Sequence, residues 1–212
     1  MLKILLIRFS SIGDIVLTTP VVRCLKKQQT AVEIHYLTKA SFKILIANNP
    51  YIDKVHLFKN DLKTLIQQLK AEQFDYVIDL HHNLRTLRIK QALGVKSNSF
   101  DKINVAKWLM VNMKWNRLPK VHIVDRYLDT LQALPFSIQN DGAGLDYFIP
   151  EKDKVNIVTH FPAIGERPYV AMTVGAAHHT KCLPIRQQMN LCEIIEYPVI
   201  LLGSSVDADA GD

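Results

Sequence analysis

Three short segments of the chain place polar and charged side chains directly after an apolar run. The first is FSSIGD, residues 9–14. Ser10 and Ser11 offer hydroxyls, and Gly13 permits close backbone approach or an unusual dihedral. Asp14 supplies a carboxylate where a helical pattern begins. It can simply cap that helix, or it can take a proton from an attacking hydroxyl as a general base. Spacing leaves both roles open. The second segment is DLHHNLRTLR, residues 79–88. Asp79, His81, His82 and Asn83 would lie on a loop, with Arg85 and Arg88 three apart on one helical face. Guanidinium groups grip carboxylates and phosphates through forked hydrogen bonds, although the same pair suits a solvated helix face. Adjacent histidines rarely converge on one ion and no third ligand accompanies them, so no metal is expected. The third is GAAHHTKCLP, residues 175–184. Backbone N–H groups after Gly175, the Thr180 hydroxyl and the Lys181 charge would suit a phosphate. An ordinary strand-to-helix loop is the competing reading.

These loops need strands and helices to position them. KILLIRF (3–9) reads as a buried strand, because its apolar residues are continuous and a turn signal comes directly after it. Residues 14–29 carry a helical pattern that Pro20 kinks or breaks. Next come strand 32–37, helix 40–47, the breaker NNP (48–50), strand 54–58 and helix 61–73. Strand 76–80 and helix 84–93, stopped by Gly94, complete an alternation that predicts an α/β fold with a doubly wound parallel sheet. Ligands bind such sheets at the carboxyl ends of strands, where the first two loops fall. Residues 102–134 read as mostly helical with a break near Pro119, and 135–168 as loop. A second unit then begins, with strand 169–174, helix 184–195 started by Pro184 and strand 198–203. The expected domains are 1–164 and 165–212. A single β-α-β unit buries too little surface to stand alone, so the sequence reads as ending inside a second Rossmann-like domain. Cys24 and Cys192 fall on apolar helix faces and read as core. Trp108 and Trp115 read as core or interface, with contact to lipid through an exposed WLMVNMKW face as the other reading.

Composition narrows the class. The 212 residues are 48% hydrophobic and 22% charged, which excludes disordered, collagen-like and coiled-coil chains. No apolar run reaches the ~20 residues that span a bilayer, and the N-terminus lacks a signal-peptide pattern. Three dispersed cysteines support neither a disulfide framework nor a zinc site, so a reducing, cytoplasmic setting is expected. Residues 1–120 hold 20 Lys+Arg against 8 Asp+Glu, whereas 121–212 hold 6 against 12. The basic half calls for an anionic partner. The first loop lacks both GxGxxG and GxxxxGK[ST], which excludes the dinucleotide fingerprint and the P-loop.

KILLIRFSSIGDIVLTTPVVRCLKK, NNPYIDKV, FDYVIDLHHNLRT, VHIVDRYLD and the GAAHHTKCLP unit occur in one order along the whole chain. Together they resemble glycosyltransferase family 9, the ADP-heptose:lipopolysaccharide heptosyltransferases. The resemblance implies a GT-B arrangement of two Rossmann-like domains, the first for the acceptor and the second for the nucleotide sugar. It implies inverting, metal-independent transfer of a heptose or related sugar from an ADP-sugar to a lipopolysaccharide-core acceptor, without a cofactor. Asp14 matches the family's general base. Ser10, Ser11 and Gly13 match the loop beside the donor, Lys181 a ligand of the donor diphosphate, and Thr180 a hydroxyl assisting it. Arg85 matches the acceptor side, where His81, His82, Asn83 and Arg88 are also placed. Leu183 stands where the family has an aromatic residue before proline, and the late Asp-Ser/Thr-Gly motif with its histidine does not occur. The expected setting is cytoplasmic, at the inner face of the inner membrane, and this chain by itself is expected to be inactive. Two other functions remain in view: a non-catalytic module binding an acidic glycolipid or glycan, and a basic nucleic-acid binder. The second lacks any recognised nucleic-acid motif.

Overall fold

The computed structural model describes residues 1–176, 179–204 and 207, with His179 by its backbone alone. It divides the chain into two compact units, residues 1–150 and 151–212. The division lies ahead of the boundary expected after residue 164. Residues 151–164 hold only a 3-10 turn and the four-residue helix α7 (Ile157–His160), and they group with the second unit.

The first unit is built on five parallel strands: β1 (Leu2–Ile7), β2 (Val32–Lys39), β3 (Lys54–Phe58), β4 (Tyr76–Asp79) and β5 (Lys96–Ser99). Their order is β3-β2-β1-β4-β5. Successive side chains of a strand face opposite ways, so Ile4 and Leu6 enter one core while Leu5 and Ile7 enter the other. Both faces are covered, and this explains why β1 reads as one continuous apolar run. Helices α2 (Thr19–Gln28) and α6 (Ile123–Leu128) supply Val22, Leu25, Tyr127 and Leu128 to the first core. The second core takes Leu65 and Leu69 from α3 (Leu62–Ala71) and Ile89 from α4 (Leu84–Leu93).

Several local details trace to single residues. The helix expected over 14–29 is two: α1 (Ile12–Val16) ends before Thr18, and Pro20 sits in the first turn of α2, where its missing N–H costs nothing. Gly94 ends α4 with φ 67°, a left-handed conformation that favours glycine. Residues 40–45 form a 3-10 helix rather than the expected α-helix. Strand β5 lies outside the expected elements, because KSNS has no apolar residue and belongs to the sheet only through pairing with β4. The loop-rich stretch after residue 135 is tied to α2 by Gln28, which exchanges hydrogen bonds with the Gln139 backbone, by Thr19, which accepts from the Asp146 N–H, and above all by Arg23. Arg23 of α2 is almost fully buried and binds Asp141 at 2.7 and 2.8 Å, the Gly144 carbonyl at 2.9 Å, and Asp146. Cys24 is buried as expected, while Cys192 is only half-buried. Trp108 and Trp115 are not core: both are exposed, and α5 (Asn104–Met113) buries none of its residues.

The second unit holds β6 (Val170–Thr173), α8 (Ile185–Ile194) and β7 (Val199–Leu202), with β6 and β7 paired in parallel. Pro184 caps α8 instead of opening its first turn. No helix of the described residues is long and apolar enough to cross a membrane.

Candidate functional site

From β1 the chain steps to β2 and β3 on one side, then to β4 and β5 on the other. The order therefore reverses between β1 and β4. Loops leaving the carboxyl ends of two such strands diverge to opposite faces and leave a crevice. Ser10, Ser11, Gly13 and Asp14 come after β1, and His81, His82 and Asn83 after β4. The sheet topology thus puts the first two candidate segments at one switch point.

Arg8, the first residue beyond β1, ties them together. Its buried guanidinium donates from Nε to the Ser10 carbonyl at 2.6 Å. Nη1 donates to the Leu80 carbonyl at 2.6 Å and to the Tyr127 hydroxyl at 3.1 Å. Nη2 pairs with Asp14 Oδ2 at 2.5 Å. The same carboxylate oxygen accepts from the Ser11 Oγ–H at 2.9 Å and the Ser11 N–H at 3.3 Å. Asp14 is therefore a capping residue and an ion-pair partner at once. Its side chain is 39% exposed, and among the described residues no hydrogen bond reaches its second oxygen, Oδ1. Burial pushes the Asp14 carboxyl up, but the Arg8 charge and the Ser11 hydrogen bonds outweigh it and leave it below the ordinary carboxylate value. The group is an oriented, ionised carboxylate with one oxygen anchored and one open. Gly13 has no left-handed φ, so the unusual dihedral is not used, and a Cβ there would meet open space.

The loop after β4 is braced as well. Buried Asp79 accepts from the N–H groups of His81 and His82 at 3.1 and 2.7 Å and pairs with Lys90 at 3.0 Å. The Asn83 side chain caps α4 by accepting from the N–H groups of Arg85 and Thr86. The His82 ring bonds the Phe100 carbonyl at 2.7 Å. His81 packs edge-on to Phe9, and its buried Nδ1 has no partner among the described residues. Burial, followed by the charge of Arg8, pushes the His81 pKa down to about 4, so the ring is neutral at pH 7. Arg85 and Arg88 are both exposed. Arg85 lies over the Phe58 ring at 5.6 Å, at the end of β3.

The third segment belongs to the second unit. Lys181 is exposed at the end of a 3-10 turn beside Thr180. Gly175 does not open onto free space: a Cβ there would fall about 2.1 Å from the Asp207 carboxylate, itself held by the Ser204 N–H and Oγ–H. Gly175 thus makes room for a carboxylate of its own chain. Ala177 and His178 of this loop lie outside the described residues.

Arg8 and Tyr127 are the site residues that pattern reading missed. Arg8 reads as the end of an apolar strand and Tyr127 as one of many apolar helix positions. The available signal was a charge directly after six strand residues with no neighbour to pair with. As for metals, His35, His56 and Glu72 bring three ligand-type atoms within 4.8 Å of one another. His35 and His56 already bond each other at 2.9 Å and Glu72 pairs with Lys54, so the trio is accounted for without an ion.

Comparison with known proteins bears on the family and the fold. Glycosyltransferase family 9 (heptosyltransferase) matches residues 62–210. Lipopolysaccharide heptosyltransferase 1 of Campylobacter coli is 26% identical over 215 residues, covering 94% of this chain and 63% of that protein. Among solved structures, a family 9 glycosyl transferase from Veillonella parvula superposes with a TM-score of 0.76 at 18% identity, over 98% of this chain and 64% of that one. The E. coli heptosyltransferase WaaC with ADP gives 0.68 at 18% identity, over 99% and 69%. The chain therefore spans a little under two thirds of the first two, and its α/β fold is that of part of a GT-B glycosyltransferase. The parallel sheet, the strand-end loops and the family match lead to one statement: the chain belongs to glycosyltransferase family 9, the heptosyltransferases.

Proposed function

We propose that the chain is the acceptor-side domain and the start of the donor-side domain of an inverting, metal-independent glycosyltransferase. It would move a heptose or related sugar from an ADP-sugar to a hydroxyl of a lipopolysaccharide-core acceptor. The observation that carries this reading is Asp14: a carboxylate at the topological switch point, anchored through Oδ2 by Arg8 and Ser11, with Oδ1 open. The acceptor hydroxyl loses its proton to Asp14 as its oxygen attacks the anomeric carbon. The bond from that carbon to the diphosphate breaks on the opposite face, and ADP departs with the electron pair. Lys181, assisted by Thr180, would meet the charge that develops on the leaving diphosphate. The phosphorylated, acidic acceptor suits the basic first half of the chain and the exposed Arg85 and Arg88. A lipid-anchored acceptor would bring the enzyme to the inner face of the inner membrane. The 212 residues alone would bind acceptor without turnover, because the relatives extend further.

Asp14→Asn in the full-length protein tests the mechanism. Turnover of ADP-heptose should fall about 10²–10⁴-fold, the usual worth of a general base, with donor affinity largely intact. Survival of turnover would remove Asp14 from this role. A thermal-shift screen of ADP-, GDP- and UDP-sugars identifies the donor. Acceptor binding without transfer from any of them would favour a glycan-binding module instead.

A further inference from the structure

We propose that α5 and the segment after it form a surface that docks on an anionic phospholipid bilayer. The helix is apolar nearly all round: Val105, Ala106, Trp108, Leu109, Met110, Val111 and Met113 leave only three polar positions. A helix of that kind is normally enclosed, yet none of its residues is buried. Val105 is 74% exposed, Val111 62%, Trp108 58% and Trp115 55%. Contiguous exposed apolar area of this sort marks an interaction site.

The charges around it select the partner. Residues 102–120 contain Lys102, Lys107, Lys114, Arg117 and Lys120 and no acidic residue. All but Lys102 are exposed, and Arg117 stacks on Trp115 at 5.5 Å. A two-fold contact with a second copy would set these cations against themselves. The core of a protein interface is usually depleted of lysine. An anionic lipid surface accepts all of it: indole rings at headgroup depth, aliphatic side chains among the acyl chains, ammonium groups reaching back to phosphates. Ten helical residues rise only ~15 Å, half a bilayer core, so the helix lies in the interface and does not span it. A groove of about 560 Å³ runs from this helix to the loop after β4, lined by His82, Lys102, Val105, Leu109 and Arg117. Docking through α5 would hold that loop next to the lipid headgroups. The inference stands on the helix and its charges and does not depend on the sugar-transfer reading.

Trp108 and Trp115 are the two tryptophans of the chain, so intrinsic fluorescence reports on this surface directly. The 212-residue chain is titrated with vesicles of phosphatidylglycerol and phosphatidylcholine in equal parts, and with phosphatidylcholine alone. The expected result is a blue shift with the anionic vesicles and quenching by brominated acyl chains. Apparent affinity should fall about tenfold or more in Lys107→Glu/Lys114→Glu or at high salt. Both lysines are exposed, so the variant's unfolding curve should match the parent's. An unshifted spectrum overturns the proposal. So does binding that ignores lipid charge and the lysine reversal, or a blue shift that tracks protein concentration without vesicles. No turnover is measured, so failure here leaves the role of Asp14 untouched, and loss of that role leaves this surface untouched.

Discussion

The loop after β1 and the loop after β6 are the same construction, a parallel strand running into a helix, but they are supported very differently. The first leaves a central strand covered on both faces. Its carboxylate is held by Arg8, which reaches the end of β4 and the buried Tyr127. The second leaves one of two paired strands, and among the described residues of its unit only Ile164, Val174, Ile200 and Gln188 are buried. Gln188 donates to the Leu183 carbonyl at 2.6 Å, and Asp207 rests on Gly175. A proton-accepting group gains from fixed geometry and an enclosed, charged neighbour. A lysine meeting a diphosphate acts as a point charge and tolerates an exposed, less braced loop.

The sharpest way to break this contrast is Arg23→Ala. It would remove a buried guanidinium and its hydrogen bonds, while Asp141 is exposed and Asp146 half-buried and both can turn to water, so the loss should be about 1.5–3 kcal/mol. Urea unfolding of the first unit should show it, and a change well below that range would mean the loop holds itself. Next is Lys181→Ala. Loss of a charge-assisted contact worth roughly 1.5–3 kcal/mol should weaken ADP binding about ten- to a hundredfold, read by calorimetry on the full-length protein. Unchanged affinity would hand the diphosphate to other groups.

The third test concerns pH. Burial first, then the neighbouring His35, pushes His56 down to about 4. The unfolded chain therefore binds the extra proton between about pH 6.5 and 4, and native stability falls as pH drops through that window. The loss should be roughly 1–3 kcal/mol, and His56→Gln should flatten the melting-temperature profile there. An unchanged slope would assign it elsewhere, with His81 the next group to test. The last test reads the position of a pH profile and not the size of a loss, and it uses Arg8→Gln. Without the guanidinium, the Asp14 pKa rises, so the acid limb of the pH–rate profile should move to higher pH. A limb that stays in place would assign it to another group.

Much of this was legible in residue order. The expected strand over 54–58 and helix over 84–93 coincide with β3 and α4, because each has the apolar period and end signals of its type. The positions of Asp14, His81 and Lys181 at strand ends come from the same patterns. Others were not legible. Strand β5 has a polar sequence and exists through its neighbour's hydrogen bonds. Trp108 and Trp115 read as core or interface, with lipid contact as the other reading, because type and spacing describe what a side chain prefers, not whether anything covers it.

Residue order alone determined the α/β alternation, the loops that could hold chemistry, the basic first half and the family signature. These depend on local periodicity, turn chemistry and charge, which need no knowledge of what lies across the chain. Tertiary structure alone decided that Arg8 bridges Ser10, Leu80, Tyr127 and Asp14, that one carboxylate oxygen stays open, that Asp207 sits on Gly175 and that α5 is bare. Each depends on groups brought together from distant positions, or on a face left without a neighbour. Strand order and packing set such distances, and spacing along the chain does not.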